Sequence, residues 1–419
     1  MSDASQVTEA APQTSSTGRF DFVVIGGGSA GAVIAARLSE DASVRIALLE
    51  AGAAPPPREL MPAAVASLQL DPEVDWMYTG DPGGVGRGLA DRRMMVPRGK
   101  MLGGSSGLNY MAYVRGHPGD FDAWEADGAK GWSYDEVLPY LLKSEVLSRP
   151  NPPEGVAIAE SAHGLPSWPG SRPKREQRLA AWATTGEGLA SSSLYDAVAF
   201  FSTGLGDAHT HDAQIGLLAC GYTPDIWRYL FRVDPDEYFA DPATALSPMA
   251  ETVVVLPNPV QPHSEGELRL VSSDVGDAPS IDLNYLADPH DVTVMLAVMR
   301  RALQIVEAWP GGALGPLSVP PALAAVHGHA SGDVPSDALL EDLARHYALT
   351  VYHETSTCRI GDVVDPELRV FGVAGLRVAD ASVMPTVVSG NTNAATIMIG
   401  ERAAALIAED HRLRAAGVG

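Results

Sequence analysis

Two side chains in the carboxyl-terminal part of the chain have the types that proton transfer from an alcohol requires. His353 follows the β-rich run 350–352, and an imidazole with an ordinary pKa near ~6.5 accepts a proton close to neutrality. Asn391 carries an amide, so it can hold an alcohol oxygen without competing as a base. A lone histidine more often has a structural role, and these residue types alone do not distinguish the two interpretations.

A second chemical signal lies near the start of the chain. Gly26, Gly28 and Gly31 form G-x-G-x-x-G between a predicted strand over 22–25 and a predicted helix over 30–38. The first glycine permits a tight turn, the second lets the backbone approach a diphosphate, and the third allows close helix–strand packing. The N–H groups and the dipole of the first helical turn attract phosphates. The pattern predicts a dinucleotide-binding site.

Glu50 narrows the choice of dinucleotide. It ends the next predicted strand, over 44–49, and follows Gly31 by 19 positions. An acidic side chain there hydrogen-bonds the 2′-hydroxyl of an adenosine ribose, which favours FAD or NAD over NADP.

A third motif lies at 97–116, which reads PRGKMLGGSSGLNYMAYVRG. Its glycines and small polar residues let backbone approach a flat ring or a phosphate, although composition alone is equally consistent with an ordinary glycine loop. Together with the glycine fingerprint and the segments 351–361 and 376–407, this motif resembles the glucose–methanol–choline (GMC) family of FAD-dependent oxidoreductases. The resemblance covers about 20–165 and 181–411.

The resemblance implies an active site and a cofactor. His353 matches the catalytic histidine of the family, and Asn391 stands where the family places its second catalytic residue, either His or Asn. FAD is expected to be non-covalent, because the position of the histidine that attaches it in covalent members is Leu108. The residues expected to bind FAD are Gly26, Gly28, Ser29, Ala30, Gly31, Glu50, Ala51, Arg98, Gly103, Gly104, Ser105, Asn109, Met111, Ala112, Asp380, Ala381, Asn391, Thr392 and Asn393. Asn393 is expected either to contact the flavin or to cap the helix that begins there.

The predicted strands and helices that carry these residues indicate an α/β fold. It combines a Rossmann-like FAD-binding domain with a discontinuous substrate domain of antiparallel sheet and helices. The expected divisions are a disordered tail (1–18), a first FAD-binding part (19–165), a junction (166–189), a substrate-binding domain (190–350), and a catalytic-histidine and carboxyl-terminal FAD-binding part (351–419). Further strands are predicted over 250–256, 266–272 and 376–379, and further helices over 292–309, 337–349 and 393–409.

One departure from the family affects the functional interpretation. Members carry a long segment after the region that matches 163–165, with further strands of the FAD-binding sheet and a second signature. That signature is absent here, which predicts a deletion on the order of a hundred residues or more. The loss would expose strand edges and apolar faces.

The principal hypothesis, from the motifs and the resemblance, is an FAD-dependent oxidoreductase that oxidises an alcohol to a carbonyl. The alternatives are a flavin-deficient or non-catalytic remnant and, with less support, an NAD-dependent dehydrogenase.

Composition and charge exclude several other classes of function. With 29 Lys+Arg against 52 Asp+Glu, the formal charge of −23 would repel a nucleic acid. No run approaches the ~18 apolar residues of a membrane span, and no signal peptide is evident, so a cytoplasmic protein is expected.

Metal binding and disulfides are not expected either. The HTHD stretch at 209–212 lacks third and fourth ligands at metal-site spacing, and two cysteines are too few for a disulfide framework. The expected partners are a small-molecule alcohol and an electron acceptor, which would be oxygen, a quinone or a redox protein.

Overall fold

The computed structural model describes residues 18–69, 71–145, 184, 195–207, 210–218, 224–231, 254–309 and 319–413. The expected tail up to residue 17 and the expected junction, apart from Thr184, lie outside the described residues. The strands are β1 (Phe22–Ile25), β2 (Ile46–Leu49), β3 (Tyr78–Gly83), β4 (Met94–Val96), β5 (Tyr195–Phe201), β6 (Ala213–Leu218), β7 (Val254–Pro259), β8 (Glu267–Arg269) and β9 (Ser280–Tyr285). The helices are α1 (Ser29–Leu38), α2 (Pro118–Ala126), α3 (Tyr134–Lys143), α4 (Pro224–Phe231), α5 (Pro289–Glu307), α6 (Pro321–His327), α7 (Asp337–Tyr347) and α8 (Asn393–His411).

The two ends of the described chain form one α/β unit. β1 and β2 pair in parallel, and α1 connects them. A Cβ on Gly31 would lie 1.9 Å from the carbonyl oxygen of Gly26, so glycine is required for α1 to begin this close to β1. α8 packs on α1, where a Cβ on Gly400 would lie 2.8 Å from the carbonyl oxygen of Ala30. The carboxyl-terminal helix therefore reaches the glycine turn.

Two further sheets support the remainder of the site. One is mixed, with the strand order β4-β3-β9-β8, and the other is antiparallel, with the order β5-β6-β7. α5 packs on β6 and β7, where Ile215 meets Val294 and Val298 in a buried cluster. β6 is thus held by strands on both sides and by a helix on one face.

The sequence predicts the long helices better than the short strands. The helices predicted over 292–309, 337–349 and 393–409 are confirmed to within a few residues as α5, α7 and α8. The strand predicted over 266–272 is only β8, because its pairing with β9 ends at Arg269. Of the strand predicted over 250–256, residues 250–253 lie outside the described residues, and the rest belongs to β7, which extends to Pro259.

The strand predicted over 376–379 is wrong. This segment makes a single isolated bridge, between Arg377 and Arg369, so no ladder can form along it. The β-rich run before His353 is not a strand either, because Tyr352 adopts a φ of 70°.

The parallel pair of the amino-terminal unit leaves one apolar face uncovered by the described residues. Phe22 and Val24 pack toward the core. On the opposite face, Val23, Ile25 and Leu49 are 54%, 81% and 53% exposed. Parallel sheets are normally covered on both faces. An exposed apolar face of this kind is one consequence expected of the deletion, which itself stays a prediction.

Candidate active site

Two helix N-termini meet at one polar cluster. Ser29 begins α1 and Asn393 begins α8, and the Ser106 hydroxyl lies between them. Ser106 Oγ lies 2.6 Å from Ser29 Oγ and accepts a hydrogen bond from Asn393 Nδ2 at 2.9 Å. The first N–H groups of a helix have no partner within the helix, and its dipole is positive at this end. The cluster therefore combines several donors with two positive helix ends, an arrangement suited to an anion.

The glycines of the 97–116 loop lie directly on the glycine turn. Gly103 donates its N–H to the carbonyl of Gly27 at 2.8 Å. A Cβ on Gly104 would lie only 2.7 Å from Gly28 Cα, and Gly104 has a φ of 54°, so glycine is required there on both counts. The two motifs identified separately in the sequence are adjacent in the fold.

The arrangement around β2 fits the adenosine end of a dinucleotide. Glu50 Oε2 accepts the N–H of Gly27 at 2.7 Å, and its Oε1 accepts the N–H of Gly52 at 2.9 Å. Each carboxylate oxygen has a second lone pair that can accept from a ribose hydroxyl. With the glycine turn and the anion-favouring cluster beside it, this donor and acceptor set fits FAD, and Ala51 is the next residue along the same backbone.

Several residues of the 97–116 loop also stabilise the loop itself. Ser105 Oγ accepts the N–H of Gly99 at 3.1 Å. Asn109 Oδ1 accepts the N–H of Met111 at 2.8 Å, which supports a φ of 58° at that methionine. Met111, which precedes Ala112, is half exposed.

Leu108 is buried in a cluster with Leu68, Val74 and Met101. It has no nucleophilic atom and therefore cannot attach a flavin covalently.

The segment before α8 differs in detail from expectation. Asp380 does not follow a strand; its carboxylate accepts the N–H of Ser382 at 2.9 Å and caps the short helical turn Ala381–Val383. Asn393 is the first residue of α8, whereas Thr392 is the N-cap. Of the two roles considered for Asn393, capping is therefore wrong, and its amide points to the serine cluster.

An ion pair joins the 97–116 loop to the turn that carries His353. Arg98 Nη2 lies 2.5 Å from Glu354 Oε2. Glu354 Oε1 accepts from the hydroxyls of Thr350 at 2.6 Å and Tyr285 at 3.0 Å. Burial raises the pKa of Glu354, but the Arg98 charge and the hydrogen bonds outweigh it and hold that pKa at about 2. The carboxylate is therefore ionised at physiological pH and fixes the backbone next to His353.

This pair revises the interpretation of both of its members. The guanidinium of Arg98 contacts Glu354 and the carbonyl of Pro97, and its expected contact with FAD stays a prediction. Glu354 was not identified from the sequence, although an acidic residue directly after the candidate base was an available signal.

His353 and Asn391 are in direct contact. Asn391 Nδ2 lies 3.0 Å from His353 Nε2, and Thr392 Oγ1 lies 3.4 Å from His353 Nδ1. Burial lowers the pKa of His353; the neighbouring Glu354 carboxylate opposes this shift without cancelling it. The imidazole is therefore neutral at pH 7 and able to accept a proton.

Gln214 is a third member of this group that sequence reasoning missed. It lies on β6 and donates from Nε2 to Asn391 Oδ1 at 3.2 Å. Gln214 lies two positions after the HTHD stretch at 209–212, of which His209 is outside the described residues. His211 instead packs edge-on against the His117 ring at 4.8 Å. The described part of the chain contains no group of three or more His, Cys, Asp or Glu that could hold a metal. No helix within that part is long and apolar enough to cross a membrane.

Comparison with known proteins gives a consistent result. Models of the GMC oxidoreductase family match residues 20–199 and 262–400. Human mitochondrial choline dehydrogenase is 26% identical, over 93% of this chain and 89% of that protein. Alcohol dehydrogenase (acceptor) of Pseudomonas putida is 27% identical, over 93% and 95% of the two chains.

Solved structures share the fold. A formate oxidase variant from Aspergillus oryzae aligns with a TM-score of 0.71 at 20% identity, covering 94% of this chain and 98% of that one. A fungal aryl-alcohol oxidase aligns with a TM-score of 0.63 at 16% identity, covering 94% and 99%. The expected α/β fold class is confirmed.

The same comparisons bear on the missing segment. An uncharacterized GMC-type oxidoreductase of Mycobacterium tuberculosis is 28% identical over 535 aligned positions, which include 92% of this chain and 99% of that protein. Since 92% of 419 residues is about 385, about 150 of those positions have no counterpart in this chain. That these positions form one deleted segment near 166–189 stays a prediction.

Proposed function

Since the chain belongs to the GMC oxidoreductase family and its cofactor is FAD, we propose that it oxidises an alcohol to a carbonyl compound. The family assignment excludes the NAD-dependent dehydrogenase. The observation that carries the proposal is the contact between His353 Nε2 and Asn391 Nδ2 at 3.0 Å. This pair lies at the start of α8, whose first residue also contacts the serine cluster beside the glycine turn.

Asn391 and His353 have different roles at the alcohol oxygen. When the alcohol binds, its oxygen takes the place of the direct contact between the two side chains. Asn391 Nδ2 then donates to that oxygen and positions it, and the lone pair of His353 Nε2 accepts the hydroxyl proton. FAD, when bound, supplies the acceptor for the hydride that leaves the carbinol carbon. His353 then carries the proton as an imidazolium, which the nearby Glu354 carboxylate stabilises. The alcohol thus loses one proton and one hydride, which leaves the carbonyl product.

The proposal includes non-covalent binding of FAD. Leu108 cannot attach it, so retention depends on the glycine turn, on Glu50 and on the serine cluster. The electron acceptor is proposed to be oxygen, a quinone or a redox protein. Relatives named as oxidases and as quinone-linked or acceptor-linked dehydrogenases support either class.

A flavin-deficient remnant of the family is the second candidate. It is favoured by the roughly 150 aligned positions that are missing and by the exposed apolar face that includes Ile25. Exposed apolar surface of this kind promotes association. The two candidates differ in whether the purified chain holds FAD.

The experiment is the visible absorption spectrum of the purified chain, followed by anaerobic mixing with a panel of primary and secondary alcohols. We expect a flavin spectrum that bleaches with at least one alcohol. A folded protein that takes up no FAD would overturn the proposal and support the remnant. A flavoprotein that no alcohol reduces would overturn the alcohol assignment alone.

A further inference from the structure

Gln214 lies in the part of the chain between the two regions that the family models match. It is on the central strand of the antiparallel sheet and is only 2% exposed. Burying an amide is costly unless it is hydrogen-bonded, and Gln214 Nε2 donates to Asn391 Oδ1 at 3.2 Å. This hydrogen bond therefore joins the antiparallel sheet of β5, β6 and β7 to the proposed catalytic pair.

The orientation of the Asn391 amide determines which ring nitrogen of His353 is unprotonated. With Oδ1 of Asn391 accepting from Gln214, its Nδ2 faces His353 Nε2 as a donor. Nε2 must then be unprotonated, which leaves the ring proton on Nδ1, 3.4 Å from Thr392 Oγ1. The opposite orientation is also internally consistent, but it requires a proton on Nε2. A protonated Nε2 cannot accept a proton from an alcohol.

We propose that Gln214 is a positioning residue that fixes the Asn391 amide and thereby keeps His353 Nε2 as the basic nitrogen. The catalytic consequence rests on the proposed function, whereas the position of the ring proton is a property of the protein itself.

The backbone around Gln214 is rigidly held. β6 pairs with β5 and β7, so Gln214 lies opposite Phe200 on one side and Asn258 on the other. Just before the strand, the buried Asp212 accepts the N–H groups of Thr203 at 2.6 Å and Gly206 at 3.1 Å. The Gln214 backbone is therefore fixed on both strand edges and at its start.

A second chain of hydrogen bonds holds the Asn391 loop against the same segment. Thr210 Oγ1 donates to Gln261 Oε1 at 2.8 Å, and Gln261 Nε2 donates to Asp120 Oδ1 at 3.2 Å. Asp120 in turn accepts both the N–H and the hydroxyl of Ser389 at 2.8 Å. With the two backbones fixed, the donor Nε2 of Gln214 favours the orientation of the Asn391 amide in which Oδ1 faces it.

The test uses Gln214→Glu, which keeps the shape but can only accept when ionised. At pH 9 the carboxylate should draw Nδ2 of Asn391 toward itself, so that Oδ1 faces His353 and the ring proton moves to Nε2. Long-range proton–nitrogen NMR of histidine-labelled protein reads this directly. We expect the Nδ1-protonated form in the wild type and the Nε2-protonated form in the variant. The rate of flavin reduction by alcohol should fall by ~10²–10⁴, as for loss of a general base, with FAD content unchanged.

Two further variants keep the test decisive. Gln214→Met removes both roles of the amide and should give a mixture of the two protonation forms, which provides a readout if Gln214→Glu does not fold. Ile215→Val changes the neighbouring side chain, which lies on the opposite face of β6, and should leave the His353 spectrum unchanged.

The outcomes separate this inference from the proposed function. A His353 ring proton that stays on Nδ1 in both Gln214 variants would overturn the inference. A proton that moves as expected, in a protein that oxidises no alcohol, would support the positioning role and overturn the proposed function.

Discussion

Replacing Gly28 with alanine should remove FAD while leaving the fold intact. Among the described residues, a Cβ at Gly28 would meet only Gly104 Cα, at 3.7 Å, which is an ordinary contact. The φ of Gly28 is −83°, which an alanine adopts without strain. The added methyl group would instead occupy the space through which a diphosphate approaches the backbone.

Gly28→Ala should affect the affinity for FAD more than the free energy of unfolding. Losing one charge-assisted hydrogen bond to the diphosphate should cost ~1.5–3 kcal/mol, which raises the Kd for FAD about 10- to 100-fold. The cost to folding should be about 0.5–1 kcal/mol, because alanine is a poorer N-cap than glycine. Gly31→Ala is the matched control, because its Cβ would lie 1.9 Å from a carbonyl oxygen of the turn. That clash should cost ~1–3 kcal/mol of stability or more.

The assay titrates flavin-stripped protein with FAD by calorimetry and runs thermal melts without FAD in parallel. Gly28→Ala should show weak FAD binding with a nearly unchanged melting temperature. Gly31→Ala should lower the melting temperature even without FAD. Wild-type FAD affinity in a folded Gly28→Ala protein would refute the assignment of this turn to the diphosphate.

Three further predictions concern the proposed catalytic pair and its support. Asn391→Ala should slow flavin reduction about 10- to 100-fold with FAD still bound, since it removes one hydrogen bond to the alcohol and leaves the base in place; stopped-flow absorbance measures this. Because burial lowers the pKa of His353, the acid limb of kcat/KM should be centred below pH 6.5, and a limb centred at or above 6.5 would contradict this cause. Glu354→Gln should lower the free energy of unfolding at pH 7 by roughly 1–3 kcal/mol, because it leaves Arg98 without its ionised partner. Since the pKa of Glu354 is lowered, this contribution is present above the ordinary value near ~4.5 and is lost as the pH falls toward about 2, which denaturant titrations across pH detect.

Much of the nucleotide-binding unit was predictable because its constraints are local. The glycine turn needs small residues at fixed offsets, and the strand, helix and acidic strand end follow within 20–50. The long helices were likewise evident, α5 and α7 from periodicity and end signals and α8 from its long apolar run. In each case the segment itself contains the information that determines its structure.

The missed features depend on partners distant in sequence. Gln214 and Asn391 are separated by 177 positions, and Arg98 and Glu354 by 256, so no local pattern pairs them. The wrong strand over 376–379 has suitable residue types, yet a strand needs a neighbour along its length, and the fold provides only one bridge. The orientation of the Asn391 amide could not be predicted from the sequence either, because it depends on Gln214, which lies beside it on β6.

The most direct test of the central claim is the rate at which an alcohol reduces bound flavin under anaerobic conditions, in the wild type and in His353→Ala. We expect both proteins to retain FAD and the variant to be reduced ~10²–10⁴ times more slowly, because the proton acceptor is lost. Equal rates in the two proteins would contradict the assignment of His353 as the base.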